Sequence, residues 1–251
     1  MTKIAVVTGS SAGFGEAICK KLVASHLKVI GIARREEKLV TLQNELGKDY
    51  FYPISVDITN HLELEKALNE LPEDWKSIDI LINNAGLALG LDKAQEADFS
   101  NWTTMINTNV TALTFLTDLL LPKMVQQNSG FIINLGSTAG TIPYPGGNVY
   151  GATKAFVKQF SLNLRADLAG TKIRVTNIEP GLCEGTEFSY VRFNNDEKRV
   201  SQLYDGAHAI TAEDIANTVD WLIQQPEHLN FNRIEMMPVS QSYGPQPVFR
   251  D

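Results

Sequence analysis

Cysteine is nearly absent from this chain of 251 residues, which has only Cys19 and Cys183. Two thiols without clustered histidines build neither a disulfide framework nor a zinc site, and both read as small buried apolar groups. A basic excess is missing as well. Lys and Arg number 22 against 29 Asp and Glu, a formal charge of −7, which argues against the electrostatic footprint of a nucleic-acid partner. No apolar run approaches the roughly 20 residues that span a bilayer. Met1-Thr2-Lys3 leads straight into Ile4-Ala5-Val6-Val7 with no leader-like pattern. The expectation is a cytoplasmic protein with small partners, without membrane or nucleic acid. Repeats, low-complexity tracts and long linkers are also lacking, so one domain over residues 1–251 is expected.

What the chain does have is alternation. Short β-branched runs at 4–7, 28–32, 51–56, 80–82, 131–135, 173–178 and 233–237 are separated by helical patterns at 16–24, 36–46, 62–71, 102–124, 151–168 and 212–224. Several runs are apolar throughout, as parallel strands covered on both faces must be. Thr211, followed by Glu213 and Asp214, marks a helix start, with a hydroxyl cap and acids at the positive helix end. The pattern predicts an α/β fold: a Rossmann-type doubly wound parallel sheet with helices on both faces. Residues 184–206 break the rhythm, being polar and mixed in charge, and read either as a loop over the substrate or as a plain surface insertion.

The first strand runs into Thr8-Gly9-Ser10-Ser11-Ala12-Gly13-Phe14-Gly15 and then a helix. Glycines at such a junction let the backbone approach a pyrophosphate held at the helix N-terminus. At the end of the second strand, Ala33 replaces the acid that would bind a ribose 2′-hydroxyl, and Arg34 and Arg35 follow, which suits a 2′-phosphate and so NADP(H). Asp57, ending the third strand, is placed to accept from an adenine amino group, or else to cap the helix starting near Asn60.

Of seven tyrosines, only Tyr150 has a lysine four residues on, Lys154, and on a helix that spacing puts both on one face. Hydride transfer to a carbonyl needs a proton for the developing alkoxide. A phenol can exchange it if a nearby cation stabilises the phenolate. Ser137 follows the fifth strand at the end where such sheets bind ligands, and reads as a donor to the substrate oxygen or as turn chemistry. Asn109, a poor helix former inside 102–124, reads as a site residue or as an exposed polar face.

In order along the chain, Thr8-Gly9-x-x-x-Gly13-x-Gly15, Asn83-Asn84-Ala85-Gly86, Asn109, Ser137, Tyr150-x-x-x-Lys154 and Pro180-Gly181 resemble the single-domain short-chain dehydrogenases/reductases over essentially the whole length. The stretches 82–90, 146–156, 179–182 and 235–243 resemble one subgroup, the bacterial NADP-dependent 3-hydroxy acid dehydrogenases that act on serine or on malonic semialdehyde. The resemblance implies a proton relay in which Asn109 holds a water beside Lys154, with Lys154 also on the nicotinamide ribose. It further implies that Asn84, Gly86, Pro180 and Gly181 line the cofactor, that Thr186 meets the nicotinamide amide, and that the chain forms a homotetramer. The expected reaction interconverts small 3-hydroxy and 3-oxo acids. Reduction of another small anionic aldehyde such as sulfoacetaldehyde, and NADP sensing without turnover, stay as alternatives.

An anionic substrate entering a dry site needs a cation. Arg192, in the irregular segment, is the candidate, with Gln241 and Tyr243 as further donors. The competing reading has Arg192 paired on the surface with Glu187 or Asp196.

Overall fold

A computed structural model describes residues 2–244. Seven strands form one parallel sheet: β1 (Ile4–Thr8), β2 (Lys28–Ala33), β3 (Phe51–Ser55), β4 (Ile80–Asn83), β5 (Gly130–Leu135), β6 (Ile173–Pro180) and β7 (Arg233–Met236), in the order β3-β2-β1-β4-β5-β6-β7. Each strand expected from the sequence is present.

The continuous apolar runs are explained by the pleat, which sends successive residues to opposite faces, both of them covered. On one face Ala5, Val7, Val29, Ile80, Ile82 and Ile133 pack against α1 (Gly13–Ala24), α2 (Glu36–Leu46) and the last long helix, Ala212–Gln224. On the other, Ile4, Val6, Ile30, Leu81, Ile132 and Val175 meet α3 (His61–Asn69) and the helices Ala112–Gln127 and Asn148–Asp167. Among the described residues no helix is long and apolar enough to cross a membrane.

The helical region expected at 102–124 is interrupted. It consists of α4 (Phe99–Ile106) and α5 (Ala112–Gln127), joined by a π turn at Asn107–Thr111. Next comes α6 (Asn148–Asp167), the longest helix at 20 residues. The segment expected to be irregular holds two short helices, α7 (Phe188–Arg192) and α8 (Glu197–Tyr204), before α9 (Ala212–Gln224). The start of α9 is a capping box: Thr211 Oγ1 accepts from the Asp214 amide at 3.2 Å, and Asp214 Oδ2 accepts from the Thr211 amide at 2.9 Å.

Strand order reverses between β1 and β4, so the connections after them diverge to opposite faces and open a crevice at the carboxyl ends. Leu81, in the centre of β4 and fully buried, belongs to the core layer that meets α3, α5 and α6. Leu81→Ala should lower unfolding free energy by about 2–5 kcal/mol in urea titration, through lost transfer energy and the cavity left behind. A loss below 1 kcal/mol would mean that this layer is loosely packed.

Candidate active site

A cleft of ≈ 1520 Å³ runs along the carboxyl ends of the strands. Its walls include Gly9, Ser11, Gly13 and Phe14 at one side, Arg34, Arg35 and Asp57 at one end, and Tyr150, Lys154 and Arg192 at the other.

The glycine loop is held from below. Thr8 Oγ1 accepts from the Asn84 and Ala85 amides at 3.0 and 2.9 Å, and Asn84 Nδ2 donates to the Thr8 carbonyl at 2.8 Å. A Cβ on Gly15 would lie 2.2 Å from the Gly9 carbonyl oxygen, so only glycine allows α1 to start this close to the loop. Ala12 occupies the N-cap of α1 and makes no side-chain bond, so the first amides of that helix have no side-chain acceptor. An open helix N-terminus, a glycine cradle and two guanidiniums at the far end fit the phosphates of a dinucleotide.

The two arginines are placed differently. Arg34 has a side chain 74% exposed and lies 3.9 Å from Asp57 Oδ2. Arg35 donates to Ser11 Oγ from Nε and Nη2, and to Glu187 from Nη1. Asp57 Oδ1 accepts from the Thr59 amide and hydroxyl, while Asn60 caps α3.

At the other end α6 presents Tyr150 and Lys154, each only 7% exposed. Lys154 Nζ donates to the Leu135 carbonyl at 2.7 Å, at the end of β5. A Cβ on Gly86 would lie 3.3 Å from that amine, so the residue keeps the ammonium's surroundings open. The π turn has a reason here. Asn109 Oδ1 accepts from the Leu87 amide at 2.9 Å, and its Nδ2 donates to the Leu87 carbonyl and to Thr153 Oγ1. Thr153 Oγ1 in turn donates to the Tyr150 carbonyl at 2.8 Å. Asn109 is therefore buried and tied to α6, not an exposed polar face, and a widened turn is a common way to reach such a geometry.

Burial pushes the Tyr150 phenol well above its ordinary range, against which the Ser137 hydroxyl and the Arg192 guanidinium pull downward. Ser137 Oγ also accepts from the Ala139 amide at 3.1 Å, so turn chemistry and proximity to Tyr150 coexist in one residue. Burial lowers Lys154 to about 8.

Arg192 reaches this end of the cleft. Its Nε donates to the Gly90 carbonyl at 3.3 Å and its Nη2 to Tyr144 Oη at 2.7 Å. The guanidinium carbon lies 5.3 and 5.4 Å from the Tyr144 and Tyr150 ring centroids. Neither surface partner offered by the sequence takes it, since Glu187 binds Arg35 and Asp196 caps α8. Among the described residues no carboxylate forms an ion pair with Arg192. Thr186 packs over Gly13. Gln241 Oε1 accepts from the Leu182 amide at 2.7 Å, beyond Pro180-Gly181, and the Tyr243 hydroxyl bonds Glu235. Cys19 is buried as expected, whereas Cys183 is half-buried on the cleft wall, its thiol pushed up to about 12 by burial.

Sequence reasoning passed over Tyr144 and Phe188, whose ring centroid lies 5.8 Å from that of Tyr150. The signal for Tyr144 was an aromatic between two prolines, Pro143 and Pro145, in the loop that joins Ser137 to Tyr150.

The family model described as short chain dehydrogenase matches residues 3–197. The chain belongs to the short-chain dehydrogenase family. This dehydrogenase is 56% identical over 250 residues to a probable NADP-dependent dehydrogenase of Haemophilus influenzae, covering 100% of this chain and 99% of the relative. It is 52% identical over 247 residues to an NADP-dependent 3-hydroxy acid dehydrogenase of Escherichia coli K12, covering 98% and 99%. Among solved structures it matches the closed form of serine dehydrogenase complexed with NADP+ with a TM-score of 0.97 at 52% identity, covering 99% of this chain and 100% of the other.

The low value of Lys154 makes the stability of the cofactor-free dehydrogenase depend on pH. Unfolded, the amine titrates near 10.5, and folded near 8. Between these values the unfolded state binds the extra proton, so stability rises with pH. Relative to Lys154→Met, the unmodified protein should gain about 1.4 kcal/mol per pH unit across that window, read by urea unfolding. A difference that stays flat from pH 8 to 10.5 would show that the buried amine is not perturbed.

Proposed function

We propose that the protein interconverts a small 3-hydroxy acid and the matching 3-oxo acid or semialdehyde, using NADP(H). The observation that carries this reading is the surroundings of the Tyr150 phenol, which shares one end of the cleft with Ser137, Lys154 and a guanidinium without a carboxylate partner. The relatives' names, an NADP-dependent 3-hydroxy acid dehydrogenase and a serine dehydrogenase with NADP+, support both the cofactor and the substrate class.

Gly9, Ser11, Gly13, Phe14 and Gly15 are the residues to hold the pyrophosphate, with Arg34 and Arg35 forming the cationic end of the cleft on the 2′-phosphate side and Asp57 toward the adenine. Asn84, Gly86, Pro180, Gly181 and Thr186 line the nicotinamide half. When bound, NADP(H) supplies or accepts the hydride.

Tyr150 moves the proton. In reduction its hydroxyl gives the proton to the carbonyl oxygen while the new C–H bond forms, and the C=O π pair becomes the bonding pair of the new O–H. In oxidation the phenolate takes that proton back. Lys154 stabilises the phenolate and binds the nicotinamide ribose, and Asn109 holds the water that relays protons to Lys154. Ser137 donates to the same substrate oxygen and fixes its orientation. Arg192 receives the acid group, because a planar guanidinium suits a carboxylate and a half-buried cation without a carboxylate partner favours an anion beside it. Gln241 and Tyr243 close the far side, and residues 184–206 cover the substrate. Phe99 and Ile106 on α4 and Phe156 on α6 expose apolar surface, which fits a homotetramer.

Tyr150→Phe keeps the ring and removes the proton. It should lower kcat by about 10²–10⁴-fold or more while leaving the NADPH dissociation constant nearly unchanged. Near-normal turnover in that variant would remove Tyr150 from the mechanism. Arg192→Met should lower kcat/KM for a 3-hydroxy acid by about 10–100-fold, the worth of a charge-assisted pair, and little for a neutral aldehyde of similar size. Equal losses on both substrates would deny Arg192 the acid group.

A further inference from the structure

Helix α7 crosses the mouth of the cleft with a polar anchor at each end. At its C-terminal end Arg192 is held to Gly90 through both its side chain and its carbonyl, and to Tyr144. At the other end Glu187, the residue before the helix, reaches across to the opposite wall. Glu187 Oε1 accepts from Arg35 Nη1 at 2.9 Å, and Oε2 lies 2.9 Å from Arg35 Nη2. The adjacent Nε–Nη2 edge of the same guanidinium donates to Ser11 Oγ at 3.2 and 3.1 Å. One side chain thus joins the glycine loop, the end of β2 and the start of α7.

We propose that Glu187 is a positioning residue. Acting through Arg35, it straps α7 over the cofactor cleft and leaves Arg34 as the guanidinium that reads the 2′-phosphate. The second half of this proposal rests on the NADP(H) reading above, and the first half does not.

Three observations support it. Arg35 has acceptors on both edges of its planar fork, so few of its five N–H groups remain for a phosphate, whereas Arg34 is largely exposed with one carboxylate at 3.9 Å. A carboxylate on the wall of a cleft meant for a polyanion lowers affinity unless it does something else, and here its hydrogen bond to Arg35 pulls the Glu187 pKa below the usual carboxylate range. Between the two anchors α7 carries Phe188, packed against the Tyr150 ring, and Ser189, bonded to Tyr204 on α8. Releasing the strap therefore loosens the aromatic cover of the catalytic phenol and the seat of Arg192 together. The pair is half-exposed, with side chains 39% and 54% accessible, so it acts by biasing an open–closed equilibrium a few-fold, not by holding the fold together.

The test compares Glu187→Gln, Arg35→Gln, their double variant and Arg34→Gln. Amide hydrogen exchange over residues 187–193 is read on the cofactor-free protein, NADPH and NADH dissociation rates by stopped-flow fluorescence, and affinities for 2′,5′-ADP and 5′-ADP by calorimetry. Glu187→Gln and Arg35→Gln should each speed exchange about three- to fivefold. Each should also raise the two cofactor dissociation rates by the same factor, and the double variant should do no more than either single one. Both should keep the ratio of 2′,5′-ADP to 5′-ADP affinity near that of the unmodified protein. Arg34→Gln should cut that ratio by about tenfold, as loss of a charge-assisted phosphate bond does, without changing exchange. A collapse of the ratio in Arg35→Gln, with Glu187→Gln silent in exchange, would overturn the proposal, as would additive effects in the double variant. Should the unmodified protein fail to prefer 2′,5′-ADP, the NADP(H) reading falls while the exchange data still decide the strap.

Discussion

The ammonium of Lys154 gives up most of its hydration to lie beneath the cleft, and much of the surrounding structure answers that loss. A buried cation is costly unless fixed partners replace water. Here the end of β5 turns its Leu135 carbonyl to the amine, and Gly86 leaves out the side chain that would crowd it. The same low dielectric that lowers the lysine raises the phenol one helical turn earlier, so the two groups move apart in proton affinity, both shifts favouring their uncharged forms. Two acids of nearly equal ordinary strength are thereby separated, and a phenol so raised keeps its proton until a carbonyl oxygen is there to take it.

Arg192 enters this balance as a second, permanent cation. It lies near the Tyr144 and Tyr150 rings and is pinned by atoms of Gly90 and Tyr144, which bear no charge. A substrate anion that neutralises it would also withdraw part of the field that favours the Tyr150 phenolate. Under the proposed function, the acid group and the reacting oxygen of a substrate would be coupled through one guanidinium, which would link selectivity for anions to the proton step.

Local pattern made much of the architecture legible. Seven β-branched runs gave seven strands: β1 and β4 are buried at every position and so carry no polar register, whereas β7 alternates between exposed and half-buried, and Thr211 with Asp214 formed the expected helix cap because both partners lie within one turn. The pair Tyr150 and Lys154 was readable for the same reason. The π turn was not, since the widened backbone follows from the bonds of Asn109 to Leu87, 22 residues away in sequence. Glu187 and Tyr144 were hidden by distance too: their partners Arg35 and Arg192 lie 152 and 48 residues away. Arg192 had two plausible acids nearby in sequence, and the fold sent both to other partners.

The strand order also bears on how the chain is made. β1 is an inner strand of the sheet, with Ala5, Val6 and Val7 paired on one side to Ile80, Leu81 and Ile82. On its other side it pairs with β2, whose last residue is Ala33. A ribosome has therefore released β1 and β2 long before it reaches β4, which ends at Asn83, about 50 residues later. At typical synthesis rates that gap lasts roughly 3–10 s. For those seconds an almost wholly apolar strand presents one unpaired edge, the feature that templates association between nascent chains. Parallel pairing over such separations is also slow to close. The crevice that serves the finished enzyme thus comes with a period of exposure during translation, when chaperone capture of the first eighty residues or so would matter most.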